Sequence, residues 1–185
     1  MLGCGNALFN DWINVDCYPP EPEPGSDILV IDMRHGLPFG DQSVEILFSE
    51  HFLEHLPIEI VKGSVLPEVR RILRPGGFLR FSIPNGEYFI QQYLKAKSGQ
   101  ADPIYNDNRH GETPMTILNG VTHGGGHHFL YDFETLAVML KELGFINIRQ
   151  AYYGDSECEE LVDKDRKDDW RIAMSLYIEA QVSLG

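Results

Sequence analysis

The sequence predicts an α/β fold built on a mainly parallel sheet, and three observations support this. Apolar segments typical of strands alternate along the chain with helical patterns or long connections, the order found in parallel sheets. Residues 2–6 run from an apolar residue into Gly-x-Gly, as at the end of a buried strand where a ligand approaches the main chain. The next apolar segment, residues 12–16, ends on Asp16, whose carboxylate can accept both hydroxyls of a ribose. We therefore expect a nucleoside-containing cofactor across the carboxyl ends of the strands.

Length and composition predict a single domain that spans residues 1–185. A hydrophobic content of 43% and a charged content of 23% are ordinary for a globular protein, and no apolar run approaches a membrane span. No signal peptide precedes the first strand, and Cys4, Cys17 and Cys158 are widely spaced, which favours a reduced, cytoplasmic setting. The net charge of -13 argues against a nucleic-acid partner. The sequence does not indicate an oligomeric state.

The first strand is expected to be truncated. Only Met1 and Leu2 precede Gly3, whereas a central parallel strand, buried on both faces, usually carries several apolar residues before its glycine turn. Two explanations stay open: the strand is very short, or the sequence lacks its natural beginning. The connection from Gly5 to Trp12 is too short for a crossover helix, so we expect the first helix to be missing.

The remaining elements follow in order along the chain. Apolar patterns predict strands at 27–32, 44–49, 78–83, 146–153 and 175–180, the last two as an antiparallel pair at one edge. A helix follows Pro57 and stops at the Arg-Pro-Gly-Gly of 74–77, and a short helix covers 87–97. Another helix is capped by Asp132 and ended by Gly144. Together these predict a sheet of about seven strands with helices on both faces.

Two segments have no clear element pattern. Residues 98–131 lack periodicity and are predicted to form a lid-like insertion, since long connections in compact domains are often functional. This lid contains His110, His123, His127 and His128 around three consecutive glycines. Acidic residues crowd the segment 155–169, and the ordinary interpretation of such a run is a solvated surface.

An ordered set of motifs resembles one known family. The motifs are Leu-Gly-Cys-Gly-Asn at 2–6, Asn-Val-Asp at 14–16, Gly-Leu-Pro-Phe at 36–39, Ser-Glu-His-Phe-Leu-Glu-His-Leu at 49–56, Leu-Pro-Glu-Val-Arg-Arg-Ile-Leu-Arg-Pro-Gly-Gly at 66–77 and Gly-His-His-Phe-Leu-Tyr-Asp-Phe-Glu-Thr-Leu at 126–136. The set is similar to class I S-adenosylmethionine-dependent methyltransferases of type 11, and most to small bacterial predicted methyltransferases linked to cell-surface polysaccharide genes. The resemblance implies a Rossmann-like methyltransferase fold, S-adenosyl-L-methionine as cofactor, and a small-molecule or sugar acceptor.

The same resemblance implies which residues bind the cofactor. Backbone groups of the glycine turn would hold the methionine part, the strand end at Asp16 the ribose, the pair at 32–33 the adenine, and residues 49–51 the floor of the site. The predicted cofactor-binding residues are Gly3, Cys4, Gly5, Asn6, Asp16, Cys17, Asp32, Met33, Ser49, Glu50 and His51.

The chemistry of methyl transfer selects the catalytic candidates. The methyl group on a sulfonium is already activated, so the protein mainly holds donor and acceptor in line. A hydroxyl acceptor can also require a base, and histidine is the usual candidate because its pKa lies near neutral. We predict that His127 or His128 of the lid reaches the acceptor pocket, and that His55 is a further catalytic candidate.

Three alternatives remain open. Residues 51–55 match H-x-x-E-H, a zinc-protease signature, but that signature belongs inside a helix and this one directly follows a strand. A nicotinamide-dependent oxidoreductase is the second alternative, although the full G-x-G-x-x-G is missing. The third is a protein of the same fold that binds the cofactor without catalysis. We assign no metal ligands, and whether the lid histidines bind a metal stays open.

Overall fold

The computed structural model describes residues 1–17, 28–107 and 113–184. The expected strand start at residue 27 and His110 of the lid lie outside this part of the chain. The strands are β1 (Asn14–Asp16), β2 (Ile28–Val30), β3 (Val44–Glu50), β4 (Leu73–Pro84), β5 (Phe145–Ala151) and β6 (Ser175–Val182). Each lies where the sequence predicts a strand, but β4 begins five residues earlier than predicted and includes residues 74–77, which were expected to end the preceding helix.

The strands form two ladders that meet at Leu2. β1 and β2 pair in parallel, and the other four strands follow the order β3-β4-β6-β5. Leu2 makes single parallel bridges to Val15 on one side and to Ser49 on the other. The first strand is therefore reduced to one bridging residue, and the order across both ladders is β2, β1, Leu2, β3, β4, β6, β5. The described residues between Gly5 and β1 form turns without a helix, as expected.

The predicted α/β fold is present, but the sheet is mixed and does not show seven clearly parallel strands. β3 and β4 are parallel, but β6 runs antiparallel to both β4 and β5. The reason lies at the carboxyl end of β4, where the amide of Asn85 donates to the carbonyl of Met174 at 2.9 Å. Because the chain enters β6 from this end, β6 has to run back along β4. The predicted antiparallel pair at one edge is confirmed.

The helices are α1 (Ile58–Ile60), α2 (Leu66–Ile72), α3 (Gly86–Ala96), α4 (Pro103–Asp107), α5 (Pro114–His123), α6 (Phe133–Glu142) and α7 (Asp169–Met174). The single helix predicted after Pro57 is interrupted by a π-helical turn, Val61–Val65. Pro67 follows directly and has no N–H to donate to the preceding turn, so a wider turn fits there. The predicted cap of α6 is present, since Asp132 accepts from Thr135 N at 2.8 Å. None of the described helices has the length and apolar character needed to cross a bilayer.

The two faces of the sheet are covered differently. The main core holds alternate strand residues such as Leu47 and Phe81 together with the apolar sides of α2 and α6. The opposite face, which carries Phe48, is covered in the described chain by residues 7–12 and by a 3₁₀ turn at Glu159–Leu161. Among the described residues, α2 and α6 cover one face of the sheet and non-helical chain with a short 3₁₀ turn covers the other, which corrects the expectation of helices on both faces.

The lid has more regular structure than its sequence indicates. Within 98–131 the chain forms α4, α5 and a 3₁₀ turn, Gly124–Gly126. Thr113 caps α5 by accepting from Thr116 N at 3.2 Å, and Pro114 occupies its first turn. A small apolar cluster around Phe89 and Tyr105 joins α4 and α5 to α3. This places the lid at the carboxyl end of β4.

The acidic segment is not simply solvated. Asp165 is 3% exposed, and its two oxygens accept from Arg80 Nε at 3.0 Å and Arg80 Nη2 at 2.5 Å. Arg80, in the middle of β4, is fully buried and also donates to Glu179 Oε1 at 2.7 Å and to the carbonyls of Asp155 and Tyr152, each at 2.9 Å. Five hydrogen bonds from one guanidinium fix the segment against the sheet, so the predicted solvated surface is wrong at Asp165.

Candidate cofactor site

The glycine turn after Leu2 requires glycine at its first position. Gly3 has a φ of +63°, and a Cβ added there would lie 2.6 Å from the ring of Phe52. Gly5 has a φ of +50° and faces open space. A side chain at position 3 would therefore collide with the chain after β3, whereas position 5 leaves room for a ligand beside the backbone.

The turn is joined to the end of β1 by a hydrogen bond. Gly5 N donates to Asp16 Oδ2 at 2.8 Å, and Cys4 N donates to the carbonyl of Val15 at 3.2 Å. Asp16 is half-buried and its carboxylate lies at the carboxyl end of its strand, beside the glycine turn. A carboxylate accepts several hydrogen bonds at once, so this one can hold the turn and also receive hydroxyl donors.

The neighbours of this turn contribute in different ways. Cys4 is completely buried in the second core cluster, so only its backbone can face a ligand. Burial and the charge of Asp16 raise the pKa of the Cys4 thiol, and the same two causes raise that of half-buried Cys17. Asn6 is exposed. Both thiols therefore stay protonated near neutral pH.

Asp32 and Met33, which were expected to lie near the adenine, differ from each other in exposure. Asp32 caps a 3₁₀ turn, Met33–His35, and is half-buried. Arg34 holds its carboxylate through Nε at 2.8 Å and Nη2 at 2.6 Å, and these hydrogen bonds lower the pKa of Asp32 to about 2. The side chain of Met33 is buried in the main core and cannot line an open site. The prediction is thereby corrected for the Met33 side chain.

The chain after β3 brings polar groups to the same edge of the sheet. Ser49 is 2% exposed and its Oγ has no hydrogen-bond partner in the described chain. Glu50 is also buried, and its carboxylate accepts from Arg166 N at 3.1 Å and pairs with Arg166 Nε at 3.0 Å. His51 has a φ of +49°, and its Nε2 lies 2.9 Å from Ser175 Oγ. Glu50 is thus committed to a structural ion pair, whereas the Ser49 hydroxyl has unused hydrogen-bonding capacity.

The zinc-protease interpretation of residues 51–55 is wrong. It requires His51 and His55 on one face of a helix. In the structure His51 lies in a bend with a left-handed backbone, and only Leu53–His55 form a 3₁₀ turn. The ring of His51 instead packs edge-on against Trp170 at 5.5 Å.

The lid reaches the turn after β3 at Glu54. His128 N donates to the carbonyl of Glu54 at 2.7 Å, and the ring centroids of His127 and His55 lie 4.8 Å apart. We call Glu54, His55 and His127 the Glu54 cluster. Of the two lid histidines, His127 is half-buried and its ring contacts the turn after β3, whereas His128 is exposed. His55, on the turn itself, is also exposed.

Tyr131 completes this region and was missed in the sequence analysis. It lies beside the end of β4, where it bridges Asn85, and its hydroxyl is buried without a described hydrogen-bond partner. Burial and the charge of Glu54 raise its pKa. The only sequence signal was its place just before the Asp132 cap. Local sequence patterns do not show that the Tyr131 hydroxyl is buried beside the Glu54 cluster, because that position depends on the folded lid.

The carboxyl ends of neighbouring strands bring most of the predicted cofactor residues to one edge. Along this edge the order is β2, β1, the glycine turn and β3, which places Asp32, Asp16, Gly5 and Ser49 side by side. Ligands of open α/β sheets bind at this edge. A cavity of about 420 Å³ lies elsewhere, between Ile13 of the chain before β1 and the first half of β3, and contains none of these groups.

Residues 2–81 match the family described as methyltransferase domain, type 11. This part of the chain is therefore similar to a methyltransferase domain. S-adenosyl-L-methionine is the cofactor of that domain. No curated protein matches the chain. Among solved structures, a SAM-dependent methyltransferase from Archaeoglobus fulgidus is 20% identical, with 97% of this chain and 83% of that chain covered and a TM-score of 0.60. An S-adenosylmethionine-dependent methyltransferase from Mesorhizobium loti is 18% identical, with 97% of this chain and 88% of that chain covered and a TM-score of 0.55. These two likenesses show the Rossmann-like methyltransferase fold.

The residues present fit this cofactor. The open space at Gly5 leaves its backbone accessible, the Asp16 carboxylate stands beside it, and the buried hydroxyl of Ser49 has no described hydrogen-bond partner. A nucleoside with an amino-acid tail carries hydroxyl, amine and carboxylate groups that such a set can bind. The fit rests on unused polar capacity at the edge where the strands end.

Proposed function

We propose that this protein transfers a methyl group from S-adenosyl-L-methionine to a hydroxyl of a small-molecule or sugar acceptor. The observation that carries the proposal is the hydrogen bond from Gly5 N to the Asp16 carboxylate, which joins the glycine turn to an acidic strand end. When bound, the cofactor supplies a methyl group activated by its sulfonium. The protein's part is to bind, orient and exclude water.

Each group of residues has a proposed task. Asp16 accepts the ribose hydroxyls while it fixes the turn, and backbone groups around Gly5 hold the amino-acid end of the cofactor. Asp32 lies at the strand end where the adenine would sit. Ser49, at the end of β3, contributes an unused hydroxyl to the floor.

The acceptor side is proposed to lie beneath the lid. His55 and His127 face each other there, next to the Glu54 carboxylate and the Tyr131 hydroxyl. These groups can orient a hydroxyl and take its proton. Of the lid histidines, His128 has its ring exposed and is the weaker candidate.

The setting and partners follow the same proposal. The net charge of -13 disfavours a nucleic-acid acceptor. We propose a cytoplasmic protein, since Cys4, Cys17 and Cys158 are all free thiols.

Calorimetric titration with S-adenosylhomocysteine tests the cofactor site directly. We expect micromolar binding to the wild type and a weakening of about tenfold or more, roughly 1.4 kcal/mol, for Asp16→Asn. This variant keeps one oxygen for Gly5 N but loses the charge and an acceptor. Asp11→Asn is the matched control, because Asp11 is exposed and asparagine tolerates its φ of +63°.

Three other results would change the conclusion. Binding of NADH in place of S-adenosylhomocysteine would favour a nicotinamide-dependent oxidoreductase. Binding of S-adenosylhomocysteine without methylation of any compound in a panel of sugars and small alcohols would favour a cofactor-binding protein without catalysis. Equal affinity of Asp16→Asn and Asp11→Asn would refute the assigned ribose contact.

A further inference from the structure

The Glu54 cluster has the composition of a metal site. One carboxylate oxygen of Glu54 and one ring nitrogen each of His55 and His127 all lie within 4.8 Å of one another. Glu54 and His55 belong to the turn after β3, and His127 belongs to the lid. The cluster therefore joins the lid to the sheet through three side chains that can each donate a lone pair.

The Glu54 carboxylate lacks a sufficient partner. It is 1% exposed, and neither oxygen accepts a hydrogen bond within residues 1–17, 28–107 and 113–184. His51 Nδ1 lies 3.2 Å from Oε1, but without hydrogen-bond geometry, and its Nε2 is engaged by Ser175 Oγ. A buried carboxylate is costly unless a cation and hydrogen bonds satisfy it. The Glu54 carboxylate would therefore be stabilised by a cation bound beside it.

His127 is oriented as metal-ligating histidines are. Its Nδ1 lies 2.7 Å from the carbonyl of Val121. A carbonyl only accepts, so Nδ1 carries the proton, and the lone pair is left on Nε2. Histidine ligands commonly donate their other ring nitrogen to a backbone carbonyl in this way. The hydrogen bond thus fixes both the tautomer and the direction of the free nitrogen.

We propose that Glu54, His55 and His127 bind one divalent transition-metal ion, with Zn²⁺ as the first candidate. Two imidazoles and one carboxylate are a ligand set used by zinc sites that keep further positions open. The exposed side of His55 leaves those positions to water or to a ligand. This set differs from the H-x-x-E-H signature. Glu54 and His55 belong to that pattern, but His51 is left out and the third ligand, His127, comes from the lid.

The lid can close the remaining distance. Ligand bonds of about 2.0–2.2 Å would bring tetrahedral donor atoms to roughly 3.4 Å from one another, closer than the upper spacing of 4.8 Å. Three consecutive glycines, Gly124–Gly126, precede His127, and Gly125 and Gly126 have φ of +63° and +82°. A chain of glycines adjusts at low cost, so His127 can move onto the cation.

The role of the ion rests on the proposed function. A cation beside the acceptor lowers the cost of removing a hydroxyl proton. With the ion bound, the lone pairs of His55 and His127 are used as ligands, so the acceptor R–OH loses its proton to solvent instead of to these histidines. Its oxygen forms the bond to the methyl carbon, and the carbon–sulfur bond breaks. The products are R–O–CH₃, S-adenosylhomocysteine and H⁺, so atoms and charge balance.

Titration of the untagged protein with Zn²⁺ by calorimetry, and with Co²⁺ by visible absorbance, tests the site. We expect one ion per chain, a tetrahedral Co²⁺ spectrum, and a loss of affinity of about 100-fold or more for His127→Ala. Glu54→Gln should weaken binding as well. His123→Ala is the matched control, since His123 is an exposed lid histidine outside the cluster, and its affinity should equal that of the wild type.

The outcomes separate this proposal from the proposed function. Absence of Zn²⁺ binding, or equal affinity of His127→Ala and His123→Ala, overturns the metal site. Circular dichroism of His127→Ala shows whether a loss of binding reflects unfolding, and Glu54→Gln then provides the second variant. S-adenosylhomocysteine binding is measured on the same samples, so failure of the cofactor site is seen independently of the metal.

Discussion

Replacing Asp165 by alanine tests whether the buried ion pair holds the acidic segment against the sheet. The change removes the Asp165 oxygens that accept from Arg80 Nε and Nη2, while Nη2 keeps the Tyr152 carbonyl and Nη1 keeps Glu179. The fully buried guanidinium thus loses one of its two carboxylate partners. Two hydrogen bonds to charged groups contribute about 1.5–3 kcal/mol each, which gives about 3–6 kcal/mol. Breaking a buried pair by removing one partner costs about 3–5 kcal/mol, in the same range. We expect a loss of about 3–5 kcal/mol.

Urea unfolding followed by tryptophan fluorescence measures this loss. Asp163→Ala is the matched control, because Asp163 is in the same segment with a side chain 74% exposed, and should change the free energy of unfolding by about 0.5 kcal/mol or less. The double variant Arg80→Met/Asp165→Leu should recover part of the loss, since it also removes the buried guanidinium that Asp165→Ala leaves with too few acceptors. A free energy of unfolding for Asp165→Ala within about 1 kcal/mol of the control would refute the reasoning.

Three further predictions concern the fold and the site. Gly3→Ala should lower the free energy of unfolding in urea more than Gly5→Ala, because the new Cβ meets Phe52 at position 3 and open space at position 5. Equal losses of free energy would contradict this. Burial pushes the pKa of Glu179 upward, but its hydrogen bonds and the charge of Arg80 outweigh this and lower it. Its contribution to stability is therefore present above the unfolded value of 4.5 and lost as pH falls through the folded value. In Glu179→Gln, the free energy of unfolding should fall less steeply between about pH 6 and pH 3 than in the wild type. The same dependence of the free energy of unfolding on pH in both proteins would contradict this. Tyr131→Phe should leave stability unchanged or slightly higher, since its hydroxyl is buried without a described partner; a loss above about 1 kcal/mol by thermal unfolding would show a hidden partner.

Local patterns predict the elements well where caps and periodicity agree. Asp132 and Gly144 mark the ends of α6, and the strand segments lie where alternating or continuous apolar runs place them. These signals depend on a few neighbouring residues, so a sequence displays them directly. The lid helix α5 was missed because its apolar residues form a weak stripe interrupted by polar residues and glycine.

Long-range pairing explains the other differences. Asp165 is buried because Arg80, which is 85 positions away, faces it from β4, and no charge pattern within the segment shows this. The direction of β6 depends on where α7 ends against Asn85. Of the site, the glycine turn and Asp16 were found from their strand ends, whereas the meeting of Glu54 with His127 depends on the folded lid.

We expect the sheet to open as two cooperative units that meet at the two bridges of Leu2. Strands β1 and β2 are three residues each and are connected to the four-stranded ladder through one residue of backbone pairing. Such a unit opens at a lower free energy than the larger ladder, so its amide protons should exchange with solvent first. The cofactor would touch Asp16 on the small unit and Ser49 on the large one. Binding should therefore link the two, and slower amide exchange in β1 would report the occupied state without any turnover.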